Sequence, residues 1–591
     1  MPSGSEDPWR KADAADSLTA PSPVISASPE LIHSRFVRLA EAGPDRPGLF
    51  SGDECLSYGQ LLTSGRGVAV ALTDLGLAPG SRVAILARRN PRLVIQLLGV
   101  LLAGCQFAIL DRTYPRARVQ AMVDACRPHA VLEDDRLDKR APEAPGAEDG
   151  ACLADPDPAP AGPPAYLAFT SGTTGTPRCV QGGHAAVVHY LTWSPKTFGL
   201  QAGDRFSMLS GLSHDPLIRD VFSPLSLGAQ LFIPDLRTWA RPEALATWLR
   251  ERRISATHLT PTMARRVFVP GKVSLPDLRR VLLGGEVVHA GDLRSFAQVA
   301  PGAEFTVVYG CTETPQVAMH YTAASDEPAG DAAAVVPLGE PAPALEVEIV
   351  SATGREVPAG ERGELVVRTP HLALGYLHRD GARLRLEPFG SQYATGDLAY
   401  RDADGRLVFA GRSDRQVTIR GARVELEEIE HHLRSCPGVV LAAATTAPSD
   451  AGPSVHATVV VEPGSGLTER ELKKHVAALL PAPVVPSAIT VLEKIPMSPN
   501  GKLDMSNDQT ARSAGHVTSR VSEILGTVLG RGPLAPDEDF FELGGDSLAA
   551  IEVAATIEDE FGYELSIEDI FQVSGAADLS MLVWNGVRGD S

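Results

Sequence analysis

The chain has 591 residues, 44% of them hydrophobic and 21% charged, with a formal net charge of −19 at pH 7. That length exceeds what one hydrophobic core supports, so two or more domains are expected. The acidic balance speaks against nucleic acid or an anionic membrane as partner, because both are bound through clustered Lys and Arg that release counterions.

Residues 1–28 are rich in Pro, Ser, Ala and charge. Such a composition cannot offset the entropy of ordering, so a loose leader is expected, and it lacks the apolar run of a signal peptide. From about residue 31 to 135 helical periodicity alternates with short β-rich runs such as residues 81–86 (SRVAIL), the rhythm of an α/β sheet. The longest apolar stretch, residues 93–110, is broken by Gln96 and Gln106 and reads as a buried helix and strand, not a membrane span. Residues 141–164, rich in Pro, Ala and Gly, read as a surface loop. The α/β pattern resumes at residues 165–169 and runs to about Ala410. After a charged, glycine-rich turn at residues 411–415, residues 413–506 read as a compact α+β unit, 507–516 as a polar linker and 517–585 as an acidic helical domain. From His516 to Ser591 there are 15 Asp and Glu against 3 Arg and no Lys, a local balance of −12. The seven cysteines are scattered without a C-x-x-C pair, which points to a reducing cytoplasm.

Residues 165–177 (AYLAFTSGTTGTP) run from a strand into a loop of Gly, Ser and Thr. Gly172 and Gly175 let backbone N–H groups converge on a polyphosphate, and the hydroxyls of Thr170, Ser171, Thr173 and Thr174 add donors. Downstream come Tyr309-Gly310-Cys311-Thr312-Glu313-Thr314, then Tyr393-Ala394-Thr395-Gly396-Asp397, then Gly411-Arg412-Ser413-Asp414-Arg415 and residues 416–430 (QVTIRGARVELEEIE). An aromatic face for a base, a carboxylate for Mg2+, and an Asp with an Arg for ribose hydroxyls are what a nucleotide needs. Lys502, after Asn500-Gly501, offers a mobile point charge able to neutralise a carboxylate and a phosphate together. In the tail Val553, Ile557 and Phe561 recur at i, i+4 and i+8, an amphipathic helix that begins after Gly544-Gly545 with Ser547 at its N-terminal end.

These motifs, with residues 56–61 (LSYGQL), 102–118 (LAGCQFAILDRTYPRAR) and 500–504 (NGKLD), resemble the adenylation domains of nonribosomal peptide synthetases, in the acyl-adenylate-forming superfamily, followed by a peptidyl carrier domain. The resemblance implies an α/β fold class: a large adenylate-forming domain of packed mixed sheets and helices over residues 29–412, a small mobile α+β subdomain over 413–506 that swings about Asp414, and an all-α four-helix carrier over 517–585. It implies ATP, Mg2+ and 4′-phosphopantetheine, the last attached to Ser547 by a phosphopantetheinyl transferase, and a downstream tailoring or condensation enzyme. Nucleotide binding then falls on Thr170, Ser171, Gly172, Thr173, Thr174, Gly175, Arg178, Gly285, Glu286, Tyr309, Gly310, Thr312, Asp397 and Arg412. Tyr309 would stack on adenine, Asp397 and Arg412 would hold the ribose, Glu313 would bind Mg2+, and Lys502 and Ser547 would be the catalytic pair. Two positions depart from the family pattern: Arg178-Cys179 stands where Lys-Gly is usual, and Thr418 where a Lys is common. Arg178 keeps the charge.

The acyl pocket implied by the same resemblance is lined by His214, Asp215, Pro216, Arg219, His258, Leu282, Gly284, Val308, Gln316 and Val317, with Asp215 pairing an α-ammonium group. The text around His184, His214-Asp215-Pro216, Arg219-Asp220 and Thr312-Glu313-Thr314 looks most like the adenylation domains of fungal α-aminoadipate reductases. Arg219 therefore points to an acidic, α-aminoadipate-like substrate; paired with Asp220, it would leave room for a small neutral amino acid instead. The reaction expected is activation of an amino acid as aminoacyl-AMP with release of pyrophosphate, then thioesterification onto the chain's own carrier, in the making of nonribosomal peptides such as antibiotics. The alternatives are a free-standing acyl-CoA ligase and a scaffold that kept the fold. Ser547 with Asp215 speaks against the first, and Lys502, Glu313, Asp397 and Ser547 together speak against the second.

Overall fold

The computed structural model describes residues 30–134, 136–139, 162–170, 177–314, 316–323, 334–380, 383–413, 416–419, 422–447, 453–462, 465–492, 514–535, 538–541, 543, 547–561, 565, 570 and 575–588. The leader, residues 141–161 of the expected surface loop, Ser171 to Gly175, Asp414 and Lys502 lie outside them, while Pro164, at the expected end of that loop, already opens the strand Pro164–Thr170.

Residues 93–110 divide where the sequence suggests. Asn90 accepts from the backbone N–H of Leu93 and Pro91 occupies the first turn, so the helix Pro91–Leu102 starts on a capped end. It crosses from the strand Arg82–Ala87 to the strand Gln106–Asp111, which pair in parallel. Both strands are continuous apolar runs, as parallel strands covered on two faces require. Gln96 and Gln106 find internal carbonyls, those of Asp134 and Gly80, which is why two amides are tolerated in so apolar a stretch. Among the described residues this sheet has eight strands, with Arg82–Ala87 between Gln106–Asp111 and Ala130–Glu133, and Pro164–Thr170 and Arg178–Gly183 continuing it.

A second sheet of nine strands carries a parallel run: Gln230–Ile233, Arg205–Ser207, Ala256–Leu259, Arg280–Gly284 and Glu304–Tyr309 lie side by side. Their carboxyl ends open on one edge, the place where open α/β sheets hold ligands. His258, Gly284 and Tyr309 all sit at such ends. A four-stranded antiparallel sheet, Glu346–Val350, Gly363–Arg368, Gln392–Arg401 and Leu407–Arg412, follows.

Residues 419–489 hold a separate core in which Ile429, Leu433, Val459, Leu472 and Val476 are fully buried beneath the sheet Val439–Ala447, Ser454–Val461, Ala488–Leu492. In the tail the helices Ala514–Val528, Ser547–Phe561 and Ala576–Arg588 enclose Val521, Leu525, Phe540, Val553, Ile557, Leu579 and Val583. The i, i+4 stripe of the middle helix faces inward, with Phe561 packed at the core's edge. The fourth helix expected of that domain would fall on residues 562–574, most of them outside the described set. Among the described residues no helix is long and apolar enough to cross a membrane.

Candidate active site

Asp397 and Arg412 are cross-strand partners in the antiparallel pair Gln392–Arg401 and Leu407–Arg412, and the register brings guanidinium and carboxylate together in an ion pair. The hydroxyl of Tyr309, from the other sheet, donates to Asp397 Oδ2 at 2.5 Å. Burial, then the charge of Asp397, push the Tyr309 phenol far up, so it stays a donor. Two residues, 88 positions before Asp397 and 15 after it, thus share its buried carboxylate, on a residue 8% exposed.

Beside them lies a cavity of about 260 Å3 lined by Thr170, Arg178, Glu313, Glu364, Tyr376, Tyr393, Arg412, Gln416 and Glu425, among others. Glu313, 1% exposed, accepts from the Tyr376 hydroxyl at 2.5 Å, and the Tyr376 and Tyr393 hydroxyls are 3.1 Å apart. Arg178 lies over the Tyr376 ring, 5.8 Å from its centroid. The two guanidinium groups of Arg178 and Arg412, with the buried carboxylates of Glu313 and Glu425 on the same cavity, form a donor set that suits a polyphosphate carrying a hard divalent cation. Glu313 is the oxygen ligand that Mg2+ would use. Glu364 accepts from the backbone N–H of Gly396 at 3.0 Å, fixing the turn before Asp397. Glu364 and Tyr376 stand in the motifs Gly363-Glu364-Leu365 and Gly375-Tyr376, which the sequence displays without disclosing which way their side chains turn.

Glu286 lines none of this cavity; its Oε2 accepts from the N–H and the hydroxyl of Thr262, at 2.9 and 2.6 Å, near the start of the helix Pro261–Val267. Gly285 beside it has φ 83°, a left-handed turn where a side chain is strained. Gly310 lets the chain fold back: a Cβ there would lie 3.2 Å from the Gln316 carbonyl, and Ala318 N donates to Tyr309 O at 2.8 Å.

The helix Pro216–Leu227 is buried from Leu217 to Ser226 without a break. Asp215 and Arg219 lie one turn apart on one face of its N-terminal end. Thr312, next to Glu313, donates to Asp215 Oδ1 at 3.2 Å, joining this helix to the loop of residues 309–314. Burial raises the Asp215 carboxyl, opposed by the charge of Arg219 and the Thr312 bond. Arg219 is 7% exposed; Nη1 donates to the Gln316 carbonyl at 2.6 Å, Nη2 lies 3.2 Å from His258 Nε2, and Nε meets no partner. The alternative pairing with Asp220 is overturned. Arg219 is not a solvated helix residue, and it does not pair with Asp220, whose Oδ2 accepts from Leu209 N and Ser210 N at 2.9 and 2.8 Å.

Around Arg219 the structure gathers much of the rest of the expected pocket. His258 pairs in register with Leu282 and Gly284 with Val308, and a Cβ on Gly284 would come within 2.8 Å of Val308 Cγ2 and 3.5 Å of His258 Nε2. Gln316 is 3% exposed with φ 72°, and both polar atoms of its side chain lack partners; Val317 beside it is buried. Pro216 opens the helix, and burial lowers the pKa of His214, whose Nε2 lies 3.4 Å from the Tyr114 hydroxyl. Ser547 is the first residue of the helix Ser547–Phe561, a terminus whose dipole favours a phosphodiester.

Residues 36–377 match the family model for AMP-binding enzymes, residues 428–502 that for the AMP-binding enzyme C-terminal domain, and residues 519–583 that for the phosphopantetheine attachment site. Phenyloxazoline synthase MbtB of Mycolicibacterium paratuberculosis is 32% identical over 573 residues, covering 92% of this chain and 48% of that protein. A dimodular nonribosomal peptide synthase of Bacillus subtilis is 29% identical over 586 residues, covering 93% of this chain and 24% of that protein. The chain thus spans half or less of the length of these relatives. Among solved structures, holo-PA1221, an NRPS protein containing adenylation and PCP domains, shares the fold with a TM-score of 0.67 at 23% identity, over 93% of this chain and 96% of that one. With the AMP-binding model covering residues 36–377 and that family's C-terminal domain following at 428–502, the chain belongs to the AMP-binding enzymes.

Proposed function

We propose that the chain activates an amino acid as its acyl-adenylate, with release of pyrophosphate from ATP, and hands the acyl group to its own C-terminal carrier domain. The observation that carries this reading is the loop of residues 309–314: its Tyr309 and Glu313 face the nucleotide side while Thr312 holds Asp215 on the acyl side. One short segment therefore sets the distance between two substrates that must react. In this reading Tyr309 stacks on adenine, Asp397 and Arg412 take the ribose hydroxyls, Glu313 holds Mg2+, and residues 170–175 with Arg178 cradle the phosphates. Gly285, Glu286 and Gly310 shape the walls, Lys502 supplies positive charge as the carboxylate attacks the α-phosphorus, and Asp215 receives the α-ammonium group. Asp414 is the hinge. Phosphopantetheine on Ser547 supplies the thiol that accepts the acyl group.

For the side chain, the reading is an acidic amino acid, α-aminoadipate before glutamate. Arg219 is buried with a carbonyl and an imidazole as its neighbours and its Nε–H without a partner, and a guanidinium left so disfavours an apolar occupant. Length is a weaker selector, since one methylene discriminates by only about 1–3 kcal/mol. The six described cysteines are all free, in keeping with a cytoplasmic setting; a phosphopantetheinyl transferase and a downstream condensation or tailoring enzyme would be the partners.

The test is ATP–pyrophosphate exchange with α-aminoadipate, glutamate, alanine and valine, alongside intact mass of wild type and Ser547→Ala. Exchange with an amino acid, a pantetheine adduct on wild type alone and undiminished exchange by Ser547→Ala are expected. Faster exchange with alanine or valine would remove the acidic preference and leave amino-acid activation in place. A thioester formed on free coenzyme A and not on the carrier would overturn the reading.

A further inference from the structure

Asp220 follows Arg219 in the chain, yet its charge is directed elsewhere. Oδ2 binds the N–H groups of Leu209 and Ser210, and Oδ1 faces His258 Nδ1 at 3.7 Å. The same turn is clamped from the other side by Arg89, which donates to the carbonyls of Met208 and Ser210, both at 2.6 Å, with its guanidinium over the Trp239 ring. His258 Nδ1 also lies 3.2 Å from Ser210 Oγ, and Nε2 lies 3.2 Å from Arg219 Nη2.

A guanidinium has donors only, so His258 Nε2 must accept and the ring proton must sit on Nδ1, toward Ser210 and Asp220. Nη2 carries two hydrogens, of which His258 takes one. The Nε–H is buried and has no partner, so Arg219 keeps donor capacity beyond what Gln316 and His258 take. A protonated His258 would turn an N–H against that guanidinium, and the two cationic donors would separate.

We infer that Asp220 and His258 are positioning residues that aim the Nε edge of Arg219 at a carboxylate on the substrate side chain, and that this selectivity holds only while His258 carries its single proton on Nδ1. The inference rests on the reading of Arg219 as a substrate contact. Facing the His258 ring are Arg219, Asp220 and Asp215 from the helix Pro216–Leu227 and its N-terminal cap, and Ser210 from the clamped turn; Arg89 acts on Asp220 and Glu313 on Asp215 one step farther out. Burial, then Arg219, lower the ring's pKa, and Asp220 and Asp215 oppose them.

The experiment measures kcat/KM for glutamate relative to glutamine, which differ at the tip by one charge, in pyrophosphate exchange by the full chain between pH 5.5 and 8.5. Four variants accompany wild type: Arg219→Met, Asp220→Asn, His258→Gln and His258→Leu. Asn at 220 keeps an oxygen for the two backbone donors but turns an N–H toward Nδ1, which shifts the ring proton to Nε2. Wild type should favour glutamate at neutral pH and lose that preference on acidification. Asp220→Asn and His258→Leu should cut the ratio roughly tenfold through the KM for glutamate, as expected for a lost positioned hydrogen bond to a charge. His258→Gln, whose amide oxygen stands in for Nε2, should retain the ratio and abolish its pH dependence. A ratio that collapses in Arg219→Met but survives in Asp220→Asn and His258→Leu overturns the relay alone. An unchanged ratio in Arg219→Met, or a wild type with no preference for the acid at any pH, overturns the substrate contact itself. Should Asp220→Asn fail to fold by circular dichroism, the two His258 variants decide the question.

Discussion

Asp397 takes its ion pair from Arg412 and a hydroxyl from Tyr309, and each of these contacts is absent from the local sequence. "Asp after Gly" reads as a turn; what gives it partners is a register that sets Asp397 opposite Arg412 and a second sheet that delivers Tyr309. Removing one member of such a buried pair strands the other charge, at a cost on the order of 3 kcal/mol. Arg412→Met is therefore expected to raise the KM for ATP by roughly tenfold or more and to lower the melting temperature. Calorimetry and exchange kinetics check both, and an unaltered KM would remove Arg412 from the nucleotide site. Arg219 makes the same point from the opposite direction. Its neighbour in sequence, Asp220, looks like the obvious partner, but successive helical residues point about a quarter-turn or more apart, so adjacency does not bring them together.

The helix Pro216–Leu227 carries Arg219, Asp220, Ser223 and Ser226, a composition that suggests a solvated face, yet Leu217 to Ser226 are all buried. Internal partners such as the Leu209, Ser210 and Gln316 backbone take up Asp220 and part of Arg219, and no periodicity rule could have supplied them. Other elements are legible from local signals alone. Thr468 opens the helix Glu469–Ala477 with a capping box, its hydroxyl accepting from Glu471 N at 3.3 Å while the Glu471 carboxylate accepts from Thr468 N at 2.9 Å. Thr468→Ala should cost about 1 kcal/mol, confined to this helix. Hydrogen exchange should quicken over residues 469–477, with pyrophosphate exchange unaltered; protection unchanged there would mean that the cap contributes nothing.

Across the whole molecule, burial depresses several histidines, His33 and His184 to about 4. Both rings are buried against each other, 6.1 Å between centroids, and His184 Nδ1 accepts from Ile32 N. Because their folded pKa lies below the unfolded value near 6.5, the stability their neutrality gives is complete above that pH and lost as pH falls from about 6.5 toward 4. By pH 4 each ring accounts for a loss on the order of 3 kcal/mol. Melting temperature should fall steeply between about pH 6.5 and 4.5 in wild type and less so in His33→Phe. A curve of equal slope in the variant would show that these rings do not govern acid unfolding.

The sequence by itself showed the order of motifs along the chain: a glycine-rich loop, the residues 309–314, Asp397, Arg412, Lys502 and a serine at a helix start. Those signals are short, and their meaning depends on which residue types stand next to each other, so no folding was needed to read them. Secondary structure came through equally well where capping and apolar runs are local, as at Asn90 and Pro91. Tertiary structure alone decided which charges meet. That Tyr309 reaches Asp397, that Thr312 ties Asp215 to the nucleotide loop, and that Asp220 turns from Arg219 to backbone amides all follow from strand register and helix phase between segments distant in sequence. A buried ionic group takes whichever partner the packed fold brings within reach, because leaving it unpaired in a low dielectric costs more than almost any local preference can offset.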